Sequence, residues 1–239
     1  MKPLCILCIS LAVLTAGMKS ATAQPTAAPE PAKGQESKGK PHSRPTAAAL
    51  LSRVKAYYAA LKDYEAEFIQ TYTKVALSQT TESRGILQIK KPGFMRWSYS
   101  KPAEKIWIVD GDTLYIADPE FEQVYVDKHF KTAELERSIS FLWGKGRLDD
   151  TFDAQVGDPR QEALPEGFSL LVLKPRKGAT YAELTLVVHD RTGEVVSSTI
   201  YETAGNTNQF RFMNPKLNQG LDRSLFTFKT PEGWAVIEQ

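Results

Sequence analysis

Apolar residues recur at helical spacing near position 50. Leu50, Leu51, Val54, Tyr57, Tyr58 and Leu61 make one stripe, and Thr46 stands where an N-cap belongs. From Tyr64 the period changes to two. Tyr64, Ala66 and Phe68, then residues 86–89, alternate apolar with polar positions as a half-buried strand does. The clearest strand follows, where Met95, Trp97 and Tyr99 alternate with Arg96, Ser98 and Ser100. Residues 106–109 and 114–116 flank Asp110-Gly111, a hairpin signal because glycine accepts the positive φ of a tight turn.

Asp118-Pro119 predicts another turn, and Val124 and Val126 continue the sheet. Near Glu134 the pattern becomes helical again, carrying Leu135, Ile139, Phe141 and Leu142 and stopping at Trp143-Gly144. Strands resume at 168–173, 181–189 and 194–202, the last two joined by Asp190-Arg191-Thr192-Gly193. Two more are expected at 209–213 and around Phe226. One amphipathic helix, a run of antiparallel strands and one helical insertion place the chain in the α+β class, mainly β. A single strongly curved antiparallel sheet with helices across its open side buries the apolar faces and leaves the polar ones in water.

The ends of the chain change this picture. Lys2, the apolar run 4–16 and the small residues Ala21-Thr22-Ala23 read as a secretory signal, so the mature chain is expected to begin near Gln24. That run is shorter than a bilayer requires. Cys5 and Cys8 fall inside it, with Leu7 where lipid attachment wants a small residue, so the mature chain is expected to lack cysteine. Residues 24–45, rich in Pro, Ala, Lys, Gly and Ser, read as a disordered tether, and 46–239 as one domain.

Charge and motifs exclude several functions. The 30 basic and 28 acidic residues become 28 of each once Lys2 and Lys19 leave with the signal, and a balanced chain lacks the cationic excess that drives nucleic-acid binding. Residues 34–41 approach a phosphate loop but end in Pro41 and lie in the tether. His42, His129 and His189 have no partner at metal-ligand spacing, and there is no Gly-x-Ser-x-Gly elbow. Asp149-Asp150 reads as a solvated loop and Asp118 as an exposed turn residue. No catalytic residue, cofactor or metal is expected.

Certain stretches resemble one family. Lys90-Lys91-Pro92-Gly93-Phe94-Met95-Arg96-Trp97-Ser98-Tyr99, Lys101-Pro102 and the run 106–115 resemble the core signature of LolA-type outer-membrane lipoprotein carriers. The ending at 226–237 and the helical segment 133–144 match in order and spacing, and the resemblance covers roughly 47–238. It implies an unclosed half-barrel with a helical lid. It also implies a periplasmic chaperone, monomeric and not an enzyme, that takes acyl chains of lipoproteins from an inner-membrane ABC-type exporter and delivers them to an outer-membrane lipoprotein receptor.

Under that resemblance Met95, Trp97, Tyr99 and Phe68 line the lipid-binding face and Ile139 and Leu142 belong to the lid. Lys91 stands where relatives carry an Arg that latches the lid. Lysine lacks the planar fork that makes several directed bonds at once, so a looser latch is implied. From pattern alone a packed core is the better reading for any one of these apolar residues, and the resemblance reverses that only for Met95, Trp97 and Tyr99 taken together. Two other readings stay open: a carrier or sensor of another acylated lipid or glycolipid, and a hydrolase with a site the motifs do not reveal.

Overall fold

The structure, a computed structural model, describes residues 44–130, 142, 148–158, 164–176 and 181–238. Helix α1, Ala47–Ala60, begins as expected: the Thr46 hydroxyl accepts a hydrogen bond from the Ala49 amide at 3.2 Å, satisfying one of the amides that a helix start leaves free. Its stripe of Leu50, Leu51, Val54 and Tyr58 is buried. The helix ends at Leu61, whose extended backbone leads straight into the sheet.

Two antiparallel meanders make up that sheet. The first contains β1 (Asp63–Lys74), β2 (Gln79–Lys90), β3 (Phe94–Lys101), β4 (Lys105–Asp110), β5 (Thr113–Asp118) and β6 (Gln123–Asp127). The second contains β7 (Phe152–Val156), β8 (Phe168–Pro175), β9 (Tyr181–His189), β10 (Val195–Glu202) and β11 (Thr207–Leu217). β1 pairs with β11 and joins them into one 12-stranded sheet, ordered β12-β6-β5-β4-β3-β2-β1-β11-β10-β9-β8-β7. The two ends, β12 (Ala235–Glu238) and β7, are not paired with each other, so the curved sheet stays unclosed. Register shifts at Glu65/Glu67, at Arg84/Gly85 and between β9 and β10 add local bends of the kind that curve a sheet.

The structure corrects several expectations. Phe226 lies in a 3-10 turn, Arg223–Phe226, where it is fully buried, and not in a strand. The strand that does follow, β12, pairs parallel to β6 in an otherwise antiparallel sheet. Asp118 is buried, not exposed, because the Lys105 ammonium sits 2.8 Å from its carboxylate. Asp149 and Asp150 lie in a helical turn, Leu148–Thr151, and not in a loop, and that turn leads into β7, which the apolar pattern did not signal. The hairpin joining β1 and β2 is longer than expected: its outer halves are polar and fold back through a 3-10 turn, Val75–Leu77. The expected helical segment at 134–143 lies outside the described residues except for Leu142, which is helical and buried.

Helix α1 crosses the sheet against the β9–β10 turn. Gly193, at φ +83°, lets the helix backbone pass so close that a Cβ there would meet the Val54 amide nitrogen at 2.6 Å as well as the backbone of Arg53. The Arg53 guanidinium donates to the Asp190 carbonyl, and the Val195 amide donates to the Tyr58 hydroxyl at 3.2 Å. Glycine and two hydrogen bonds thus fix the helix over one face of the sheet.

Candidate functional site

Strand alternation decides which residues share that face. Phe68 on β1 stands opposite Phe212 on β11 and Gly85 on β2, and Gly85 stands opposite Tyr99 on β3. The adjacent rung runs Ala66, Leu87, Trp97, Trp107 and Ile116 from β1 to β5. The next runs Tyr64, Ile89, Met95, Val109 and Leu114. All of these side chains point to one side because successive residues alternate.

Four of the residues expected in the lipid-binding face come together here. The Phe68 ring meets Trp97 at 4.8 Å and Tyr99 at 5.0 Å, both edge-on. The Trp97 indole N–H donates to the Met95 sulfur at 3.1 Å. Gly85 makes room: a Cβ there would lie 2.8 Å from two Phe68 ring atoms, so the absent side chain is what lets the ring lie across β2. Edge-to-face rings and a sulfur–aromatic contact together form a polarizable, water-poor surface. Burial pushes the Tyr99 phenol well above its ordinary value of 10, so it stays neutral.

Reading the sequence missed the other half of the cluster. Phe210 packs on Trp97 at 5.1 Å and on Phe68 at 6.1 Å, and stacks with Phe212 at 6.4 Å. Period two within 209–213 could have put both on one face, but only the long-range pairing of β1 with β11 brings them to Phe68. Polar groups also reach this face. The Gln70 side-chain amide donates to Asn208 at 3.0 Å, both residues being buried, and Trp107 stands beside Trp97 on its rung.

Lys91 lies in the turn between β2 and β3 and donates from its ammonium to the Tyr58 carbonyl, in the last turn of α1. A cation at this end complements the free carbonyls and the negative pole of the helix. Leu142 is buried, and Ile139 lies outside the described residues. Among the described residues no group of three or more His, Cys, Asp or Glu is placed to hold a metal, and no helix is long and apolar enough to cross a membrane. The arrangement offers hydrophobic contact. Its large side chains are aromatic, aliphatic or thioether.

Known proteins resemble this chain over most of its length. The chain is 27% identical over 198 residues to a protein of Cupriavidus taiwanensis named outer-membrane lipoprotein carrier protein, covering 82% of this chain and 90% of that one. A protein of the same name from Azotobacter vinelandii is 28% identical, covering 73% of this chain and 81% of its own length. Among solved structures, an uncharacterized conserved protein from Thermus thermophilus shares the fold at a TM-score of 0.52 and 12% identity, over 81% of this chain and 99% of that one. The profile of the outer membrane lipoprotein carrier protein LolA matches residues 59–229. With most of the sheet inside that match, from β1 to the segment before β12, the chain belongs to the LolA family of outer membrane lipoprotein carrier proteins.

Proposed function

We propose that the protein is a periplasmic chaperone, without chemistry of its own, that shields the acyl chains of lipoproteins between an inner-membrane ABC-type exporter and an outer-membrane receptor. Residues 1–23 direct export, 24–45 form a tether and 46–239 hold the lipid. Met95, Trp97, Tyr99 and Phe68 contact the acyl chains, with Ile139 and Leu142 in a helical lid. Lys91 acts as a latch.

The observation that carries the reading is the apolar cluster of Phe68, Met95, Trp97 and Tyr99 on the face that α1 crosses. An acyl chain gains about 0.8 kcal/mol for each methylene taken from water, so a sixteen-carbon chain represents about 12 kcal/mol. Only an extended apolar surface matches that. Alternate residues of adjacent strands provide one without a polar backbone group facing the chain. The contact of Lys91 with the end of α1 supports the latch: closing keeps water from the empty face, and cargo that binds the open form shifts the balance toward it.

The test is transfer of a lipoprotein from inner-membrane vesicles to outer-membrane vesicles by the mature protein. Met95→Glu, which puts a charge beside Trp97, is expected to abolish transfer in protein whose circular dichroism shows it folded. Undiminished transfer by folded Met95→Glu overturns the reading. Mass spectrometry of co-purifying lipid separates lipoprotein cargo from free lipid or glycolipid.

A further inference from the structure

Two hydrogen-bond donors on the aromatic face have no acceptor among the described residues. The Trp107 indole nitrogen and the Asn208 side-chain nitrogen are both buried and have no partner among the described residues. Trp107 extends the Trp97 rung by one strand. Asn208 lies on β11 two residues from Phe210, so it shares the face of Phe210 and its contact Phe68. Asn208 is 1% exposed, and its oxygen is already taken by Gln70. The other two buried side-chain polar atoms without partners among the described residues lie elsewhere. Ser197 projects to the opposite face of the sheet, beside Arg211 in the register, and Asp190 belongs to the β9–β10 turn.

A buried donor left unpaired is costly, and most buried polar groups in folded proteins have partners. Hydrocarbon cannot answer an N–H. A surface that only had to hold methylenes would gain by carrying Phe and Leu at these two places. Both orphans are donors, so the missing group is an acceptor, and it lies where an acyl chain would meet the aromatic rings.

Resting on the carrier reading, we propose that Trp107 and the Asn208–Gln70 pair are two separate polar subsites, each recognising a carbonyl oxygen through which an acyl chain is attached, in ester or amide linkage. Trp107 on β4 and Asn208 on β11 flank the rings with three strands between them, so each donor meets a linkage carbonyl of its own. This makes the face selective for acylated cargo over plain hydrocarbon or ether-linked chains.

The experiment uses two synthetic lipopeptides on a glyceryl-cysteine, one with ester-linked palmitoyl chains and one with ether-linked hexadecyl chains. Each is titrated against the mature protein by displacement of a fluorescent polyene. Wild type is expected to prefer the ester by about tenfold, the worth of one well-placed hydrogen bond. Trp107→Phe keeps a ring and loses the donor. Gln70→Leu combined with Asn208→Leu removes the second donor without orphaning Gln70. Each is expected to bring the ester-to-ether ratio toward one. In wild type the indole N–H proton resonance of Trp107 is expected to move downfield with the ester lipopeptide and not with the ether. Equal wild-type affinity for the two overturns the subsites and leaves the carrier reading intact, as does a ratio that neither variant changes. Failure of both lipopeptides to bind overturns the carrier reading, and the subsites with it.

Discussion

Gly85→Ala tests the aromatic face at the point where it depends on a missing atom. An added methyl would collide with the Ser98 carbonyl oxygen and reach within 2.8 Å of two Phe68 ring atoms. The two obstacles differ in kind. Ser98 is backbone held between β2 and β4 by pairing with Ile86 and Ile106, so it gives way only if the sheet does. The ring is the end of a side chain and can swing, at the expense of its edge-on contacts with Trp97 and Tyr99. Overpacking of this sort costs about 2–3 kcal/mol, which for a domain of this size lowers the melting temperature by roughly 4–12 °C. Phe68→Leu removes the ring and leaves the carbonyl. In that background Gly85→Ala is expected to cost about 1 kcal/mol less than in wild type, and still more than nothing. Urea unfolding of the four proteins, with unchanged slopes, closes the cycle. A harmless Gly85→Ala, or strict additivity with Phe68→Leu, would refute the idea that glycine is there to seat the ring.

Other predictions concern the frame. The Asp63 carboxylate, 4% exposed, accepts from the Gln219 amide at 2.7 Å and the Gly220 amide at 3.0 Å. Asp63→Asn turns one of those amides toward an NH2 group and is expected to cost about 2–3 kcal/mol by denaturant unfolding. Thr46→Ala removes the N-cap of α1 and is expected to cost about 1 kcal/mol, with faster amide exchange confined to the first turn. Hydrogen bonds from Lys216 and Gln88 hold the Glu65 carboxyl below its ordinary 4.5. A depressed folded pKa gives stability that is full above the unfolded value and lost as pH falls through the folded one. The stability gap between wild type and Glu65→Gln should therefore be flat near neutral pH and shrink below about pH 4.5. A gap that widens on acidification contradicts the assignment.

Elements whose side chains report their own burial could be read from the sequence. The α1 stripe, the Met95-Trp97-Tyr99 strand and the Gly111 turn, at φ +65°, all stand where the pattern put them. What the pattern hid is set by partners far along the chain. Strand β2 is mostly exposed over residues 79–86, so Thr80, Thr81 and Ser83 carry no apolar signal, and their pairing with β1 is what makes them a strand. Strand β7 shows only Phe152 buried and depends on β8 for its register. Phe226 looked like a strand residue because it is large and apolar, whereas a 3-10 turn buries it just as well beside Phe94, 6.0 Å away. Asp118 looked exposed because it precedes a proline, but its surroundings are fixed by Lys105 across the strand pair. Of the candidate site, Met95, Trp97, Tyr99 and Phe68 were within reach of period two. Phe210, Phe212 and Asn208 were not, because the pairing of β1 with β11 spans most of the domain.

The same sheet keeps a second apolar cluster on its other face, away from the aromatic rings. On β5 and β6, Ala117, Val124 and Val126 alternate with the inner residues and pack under Phe228 and Trp234 from the C-terminal segment, with Phe228 5.5 Å from Tyr115. Farther along, Arg96 donates to the Leu225 carbonyl at 2.9 Å, Lys90 donates to the Leu221 carbonyl at 2.7 Å, and the Arg223 guanidinium lies 4.8 Å over the Phe94 ring. The chain end thus covers the back of the strands whose fronts present Met95, Trp97 and Trp107. Where one face of a strand is already buried, the free energy that holds it in the sheet need not come from the other. A front face relieved of that task can tolerate the Trp107 and Asn208 donors, which have no partner among the described residues.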